Sequence, residues 1–444
     1  MNVLIRGGTV VAMDDAMTVG VRDVRVRGRA IVEVGAGLKA ASDEAIVDAT
    51  GCVVLPGFVQ THVHLCQTLF RNLADDLALL DWLAERIWPL EASHSAATLR
   101  ASAELGIAEL LLGGTTAIVD MGTVRHTEAV FTALAGGGLR AVAGKCMMDD
   151  PGGPEGLREE TEASLTESLA LAERWDGFDH GRIRYGFAPR FMISCTDDLI
   201  RRVAEEAEKR GLWIHTHASE NKDEVNVVRA RTGGKKNVLA LRDLGVRGPR
   251  AILAHCIHVD GEEITALATD GTRVAHCPSS NLKLASGLCD VPRLRRSGVH
   301  VSLGADGAPC NNRLDMWTEM RTAALLQKPR YGPMIMPAEE ALHLATRAGA
   351  EAIGHGHDLG QVKAGFLADL QVVGLDDVLD GPGGTTISRL VYATERASVR
   401  HVFVQGEHLV NRGALVRWDK SAIGERARKA LSECVARAGF APQG

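Results

Sequence analysis

Val53-Val54-Leu55-Pro56-Gly57-Phe58-Val59-Gln60-Thr61-His62-Val63-His64 is an apolar run ending in two histidines two residues apart. Its β-branched and aromatic content reads as a buried strand. A period of two puts both imidazoles on one side, within reach of a single ion. A lone His-x-His pair is a weak signal, so its weight depends on the rest of the chain.

The same pattern recurs downstream. Thr115 to Asp120, Leu139 to Lys145, Ile183 to Ala188, Leu212 to His217, Arg250 to His255, Thr272 to His276 and His300 to Leu303 read as short buried strands. Helical patterns lie between them. Leu99, Ala103, Ile107, Leu110 and Leu111 share one helical face, and that run stops at Gly113-Gly114. Thr196 can cap a helix with Asp197 and Asp198 in its first turn, and Gly211 ends it. Apolar strands alternating with helices point to a parallel sheet covered by helices. About eight such units make a (β/α)8 TIM barrel, whose active site gathers at the C-terminal ends of the strands.

Both chain ends read differently. Val3 to Arg6, Thr9 to Met13, Val24 to Val26 and Ile31 to Val34 are strand-like, as are Asp369 to Val373, Val399 to Gln405 and His408 to Val410. Ser421 to Ala438 has a helical pattern. The net charge of −6 argues against a nucleic-acid partner. No apolar run approaches bilayer length, and no signal-peptide pattern opens the chain. Nine scattered cysteines fit reduced thiols in a cytoplasmic protein.

Ionisable residues collect where the strands end: His62, His64, His217 with Glu220 three residues on, His255, and Asp306. Any one of them can be a hydrogen-bonded core residue. Together they describe a catalytic metal site of imidazole and carboxylate ligands with an open position. His62, His64, His217 and Asp306 are the expected ligands of one divalent ion, zinc or alternatively iron. Glu220, His255 and Asp306 are the expected catalytic groups, with Glu220 as proton carrier. Arg190 can donate a bidentate pair of hydrogen bonds, Phe191 can stack on a planar ring, and Gln67 can read a ring edge.

Five segments carry a resemblance: Pro56 to His64, His215-Thr216-His217-Ala218-Ser219-Glu220, Ala254-His255-Cys256, His276-Cys277-Pro278-Ser279-Ser280-Asn281-Leu282-Lys283-Leu284, and Leu303-Gly304-Ala305-Asp306-Gly307. On these the chain resembles the amidohydrolase superfamily over nearly its full length, in the branch that deaminates nucleobases and related heterocycles. The resemblance implies a mononuclear metal site and a β-sandwich built from both chain ends. The expected division is 1–55 plus 365–417 for the sandwich, 56–364 for the barrel, and 418–444 for a C-terminal helix and tail.

Arg71-Asn72-Leu73-Ala74-Asp75-Asp76-Leu77, with Trp82 and Trp88-Pro89-Leu90-Glu91, is similar to deaminases of methylthioadenosine, S-adenosylhomocysteine and 5′-deoxyadenosine. That similarity adds Trp88 to the expected substrate contacts. Gly144-Lys145-Cys146-Met147-Met148-Asp149 and Pro189-Arg190-Phe191 are similar to guanine deaminase instead. The expected activity is release of ammonia from an aminopurine or purine nucleoside, with water as co-substrate, no membrane partner and a homo-oligomeric state. Two alternatives stand beside it: a triazine hydrolase, which the chain resembles around His62 to Leu69, and a catalytically silent binding protein.

Overall fold

The computed structural model describes residues 2–375 and 383–440. Residues 376–382 of the expected sandwich and 441–444 of the expected tail lie outside the described residues.

Eight strands, Phe58–His64, Thr115–Met121, Arg140–Gly144, Ile183–Pro189, Trp213–Ala218, Ala251–His255, Arg273–His276 and Val301–Leu303, pair in parallel in chain order. Asp306–Gly307 then pairs with Val63 and His64, and Thr61 Oγ1 lies 2.8 Å from Ser302 Oγ, so the last strand closes on the first. The sheet is a (β/α)8 barrel, as its sequence pattern implies. Val59, Ala117, Val119, Val142, Trp213, Ile252 and Ala275, from six strands, form one apolar cluster that plugs its interior. The opposite strand faces carry Val63, Ile118, Ala141, Leu253, Val274 and Leu303 into the larger cluster shared with the surrounding helices.

The opening stretch is two strands, not one. Cys52–Pro56 belongs to a second sheet and Phe58–His64 to the barrel, with Gly57 between them. A Cβ at Gly57 would stand 2.1 Å from Thr116 Cγ2, so the crossing between sheets is open only to glycine.

The second sheet joins five N-terminal strands between Asn2 and Pro56 to Leu370–Gly374, Val399–Val404, Glu407–Asn411 and Ala414–Leu415. Cys52–Pro56 pairs antiparallel with Leu370–Gly374 and so links the two chain ends. The sheet is continuous and curls back on itself. Ile31 N donates to Phe366 O and Ala368 N to Arg29 O, both at 2.8 Å, around a core that includes Val3, Ile5, Val26, Ile31, Leu370 and Phe403. A buried bidentate pair, Arg140 Nε and Nη2 to Asp369 at 2.9 and 3.0 Å, fastens the barrel to this sheet.

The helix expected from Leu99 starts at Ala96, where Ser95 and Thr98 form a reciprocal cap, and ends at Leu112. Thr196 caps Asp197–Arg210, and Gly211 closes that helix with φ +67°. The C-terminal helix spans Lys420–Arg437. All nine cysteines are free, and among the described residues no helix is long and apolar enough to cross a membrane.

Candidate metal centre and pocket

The barrel brings the strand-end residues together. Donor atoms of His62, His217, His255 and Asp306 all lie within 4.8 Å of one another. His64 Nε2 is 3.3 Å from both Asp306 Oδ1 and His217 Nε2. All five expected residues therefore share one site, and His255 is as close to the cluster as the expected ligands are.

Simple alternation does not account for this convergence. A register irregularity between Gln60 and Val63 lets Val59 face the barrel interior while His62 and His64 also turn toward the site. On the sixth strand Ala251 and Leu253 pack outward, and a period of two would send His255 the same way. His255 instead has φ +72°, and Asp306 and Ser219 have φ +64° and +53°. Such left-handed turns at non-glycine residues cost about 1–3 kcal/mol each and cluster at functional sites. Here they aim side chains that regular strands would misdirect.

Each imidazole is also held from behind. His64 Nδ1 donates to Met121 O at 2.9 Å, His217 Nδ1 to Arg190 O at 2.7 Å and His255 Nδ1 to Asn281 Oδ1 at 2.8 Å. His62 Nδ1 lies 2.8 Å from His215 Nε2. Tying back Nδ1 fixes the tautomer that presents an Nε2 lone pair, as in metal sites with oriented histidines. His62 Nε2 and His255 Nε2 are buried and make no hydrogen bond. Buried acceptors without donors, beside a carboxylate, fit a divalent cation of zinc type.

Electrostatics agrees with that fit. Burial lowers His62 to about 4 and takes His217 well below its usual value, so both are neutral, as ligands must be. Burial alone would raise Asp306, yet its contacts with His62 and His64, with the charge of His255 contributing, hold its carboxyl well below the usual range. Glu220 behaves oppositely. Burial pushes it up to about 7, against the pull of His255. Its Oε2 is 3.6 Å from His255 Nε2, and its Oε1 accepts from Ser286 Oγ at 3.3 Å.

A small pocket opens onto these groups, lined by His64, Gln67, Arg190, Phe191, His217, Glu220 and Asp306, with Leu79, Trp82, Leu83 and Leu284. Gln67, Arg190 and Phe191, expected to contact substrate, line it, but Arg190 is engaged elsewhere. Its Nη1 and Nη2 donate to Glu91 Oε2 and Oε1 at 2.9 and 3.1 Å, and Gln67 Nε2 donates to Glu91 Oε1 at 2.8 Å. The expected bidentate grip on a purine is thus made on a protein carboxylate, because buried Arg190 and Glu91 each need a partner. Gln67 Oε1 remains buried and unpartnered.

Trp88 is not in the lining; Trp82 is. The two lie six residues apart along a helical segment, about 1.7 turns, which puts them on different faces. Trp88 packs behind the wall, against both the cluster of Met121, Val124 and Cys146 and the one that holds Trp82 and Phe191. Leu79, Leu83, His215, Ser280, Asn281 and Glu91 contribute to the site without having been assigned a role from sequence. His215, Ser280 and Asn281 lie inside the motif segments, a signal that offered position but no partner.

A model of the amidohydrolase family matches residues 53–409, which contain both the donors and the cavity wall. The 5′-deoxyadenosine deaminase of Methanothermobacter thermautotrophicus is 37% identical over 97% of this chain and 98% of its own length. The 5-methylthioadenosine/S-adenosylhomocysteine deaminase of Haloarcula marismortui is 37% identical over 98% and 99%. A zinc-bound adenosine deaminase from Xanthomonas campestris superposes with a TM-score of 0.92 at 31% identity, covering 98% of this chain and 99% of that one. Barrel, curled terminal sheet, histidine–aspartate cluster and these matches agree, and the chain belongs to the amidohydrolase family.

Proposed function

We propose that this chain is a zinc-dependent hydrolytic deaminase releasing ammonia from an aminated purine, with 5′-modified adenosines as the preferred class. The carrying observation is the pairing of an oriented donor cluster with Glu220, a buried carboxyl beside it that changes protonation near neutral pH. Full-length similarity to the two nucleoside deaminases and the zinc of the Xanthomonas structure support the reading.

His62, His64, His217 and Asp306 would hold the cation, with His255 at its edge. A bound divalent ion supplies Lewis acidity and lowers the pKa of a water it holds to roughly 7. The chain's own groups then move the protons. Water adds to the ring carbon bearing the amino group, and a Glu220 carboxylate oxygen takes the proton that water loses. The same carboxyl returns it to the departing nitrogen, so the C–N bond breaks and ammonia leaves. His255, its Nδ1 anchored on Asn281, presents an Nε2 lone pair that accepts from the attacking water and orients it. Leu79, Trp82, Leu83 and Phe191 exclude bulk water and pack on the heterocycle.

One observation favours a second substrate. Gln67 Oε1, buried and unpartnered in the lining, suits a ring N–H, which guanine presents beside its carbonyl. A coupled ammonia assay with zinc-loaded protein across 5′-deoxyadenosine, methylthioadenosine, S-adenosylhomocysteine, guanine and an aminotriazine separates these. Turnover of the nucleosides is expected. Turnover of guanine alone would move the assignment to the base, and turnover of the triazine alone would overturn the purine reading.

A further inference from the structure

Two adjacent residues of the short helix Pro278–Lys283 each hold one polar group of the metal centre. Ser280 Oγ donates to Asp306 Oδ2 at 2.6 Å, and Asn281 Oδ1 accepts from His255 Nδ1 at 2.8 Å. Both residues are fully buried. A helix of six residues is too short to hold its own position, so something must fix it.

Glu319, on the helix Met316–Leu326, meets that need. It is fully buried and touches none of the donor residues. Its Oε2 accepts from Ser279 N at 3.1 Å, at the start of the short helix. Its Oε1 accepts from Asn311 Nδ2 at 2.9 Å, and the same Asn311 Nδ2 donates to Ala305 O, 2.7 Å away and next to Asp306. One carboxylate therefore spans the loops after the seventh and eighth strands and brackets Asp306 from both sides. Neither barrel sheet bonds nor helix packing require a buried carboxyl here. Burial pushes it up to about 7 against the two donors, a cost that a purely apolar residue would avoid.

The geometry points to Glu319 as a positioning residue for the metal centre: it sets Ser280 against Asp306 and, through the same short helix, Asn281 against His255. This rests on the zinc reading above. Positioning groups of this kind are worth about tenfold to a hundredfold in metal affinity or turnover when removed. A glutamine at this position keeps the shape but offers a single acceptor oxygen, so one of the two loops loses its anchor and faces an N–H donor instead.

The test is zinc affinity of the full chain, by chelator competition, with melting of the metal-free protein measured alongside. Glu319→Gln should bind zinc about tenfold to a hundredfold more weakly and lose kcat by a similar factor, with KM little changed. Ser280→Ala should do the same, and the double variant should be no worse than the weaker single one, because both act on one hydrogen-bonded path. Glu263→Gln is the structural control. Glu263 is a buried carboxyl that accepts from Val238 N and Asp260 N, away from the centre, and its loss should lower melting while leaving zinc affinity intact. If Glu319→Gln does not fold, Asn311→Ala removes the other arm and should weaken zinc binding in its place. Variants that bind zinc as wild type does, or losses that simply add, overturn the inference. A wild-type chain that takes up no zinc overturns the metal reading itself, and this inference with it.

Discussion

The two halves of the cavity are built by different means. One half is polar and stands at strand ends: His64, His217 and Asp306 in the wall, with His62 and His255 clustered against them. The other is apolar and stands on connecting segments: Leu79, Trp82 and Leu83 from a helical turn, Phe191 and Leu284 from loops. Barrel strands are locked by bonds to both neighbours, and every donor imidazole has its Nδ1 tied back. The apolar half is attached through side-chain contacts. Inside, Glu91 ties it to Arg190 and Gln67; outside, Asp75 pairs with Lys283, which also donates to Pro309 O at 2.8 Å. The difference teaches that chemistry and substrate fit are separable here, one carried by the barrel and the other by what is laid over it.

That separation can be broken at several points. The largest effect is expected on the polar side. Glu220→Gln should lower kcat about 10²- to 10⁴-fold while zinc content by metal analysis stays at the wild-type level; full activity would remove Glu220 from proton transfer. Next comes the seam between the halves. Arg190→Ala strands the Glu91 carboxylate in a buried wall, and breaking such a pair costs about 3–5 kcal/mol. Chemical denaturation should show that loss. A raised KM with unchanged stability would mean instead that Arg190 reads the substrate directly.

On the apolar side Trp82→Ala should raise KM about tenfold, with kcat and zinc content near wild type, the pattern of lost uniform binding. A matching fall in kcat would show that the two walls are coupled after all. The smallest effect is in pH. Burial raises the pKa of Glu319 from 4.5 to about 7 against its hydrogen bonds from Ser279 and Asn311, with the nearby Asp315 adding slightly. The fold favours its protonated form, so its contribution to stability is full below pH 4.5 and is lost as pH rises through 7. Melting of the metal-free chain should fall over that window, and Glu319→Gln should flatten the decline. An unaltered pH slope would place the titration on other groups.

Much of the molecule was legible in the residue order. The strands from Thr115 to Leu303 were readable because buried parallel strands are nearly continuous apolar runs bounded by turn residues. The clustered histidines and Asp306 were readable because they end or closely follow those runs. The strand from Val53 to His64 was misread as continuous, since an apolar run carries no mark of changing sheets except Gly57, whose need for close approach to Thr116 is a contact between distant residues. Trp88 was placed in the pocket because a motif match names a segment and not a helical face. Arg190 was given to the substrate because its partner, Glu91, is 99 residues away in the chain.

The sequence by itself determined the alternation of strands and helices, the imidazoles and carboxylate that gather at the strand ends and the presence of Glu220 beside them. These follow from local periodicity and from residue chemistry, which need no neighbours to be read. Only the tertiary structure decided which way each side chain points and what stands behind it. The left-handed turns at Ser219, His255 and Asp306 set the aim, and the anchors on the imidazole nitrogens and the Glu319 bracket join residues far apart in the chain. The physical reason is that a buried polar group must find its partner in space, and barrel closure, not sequence order, sets which partners come within reach.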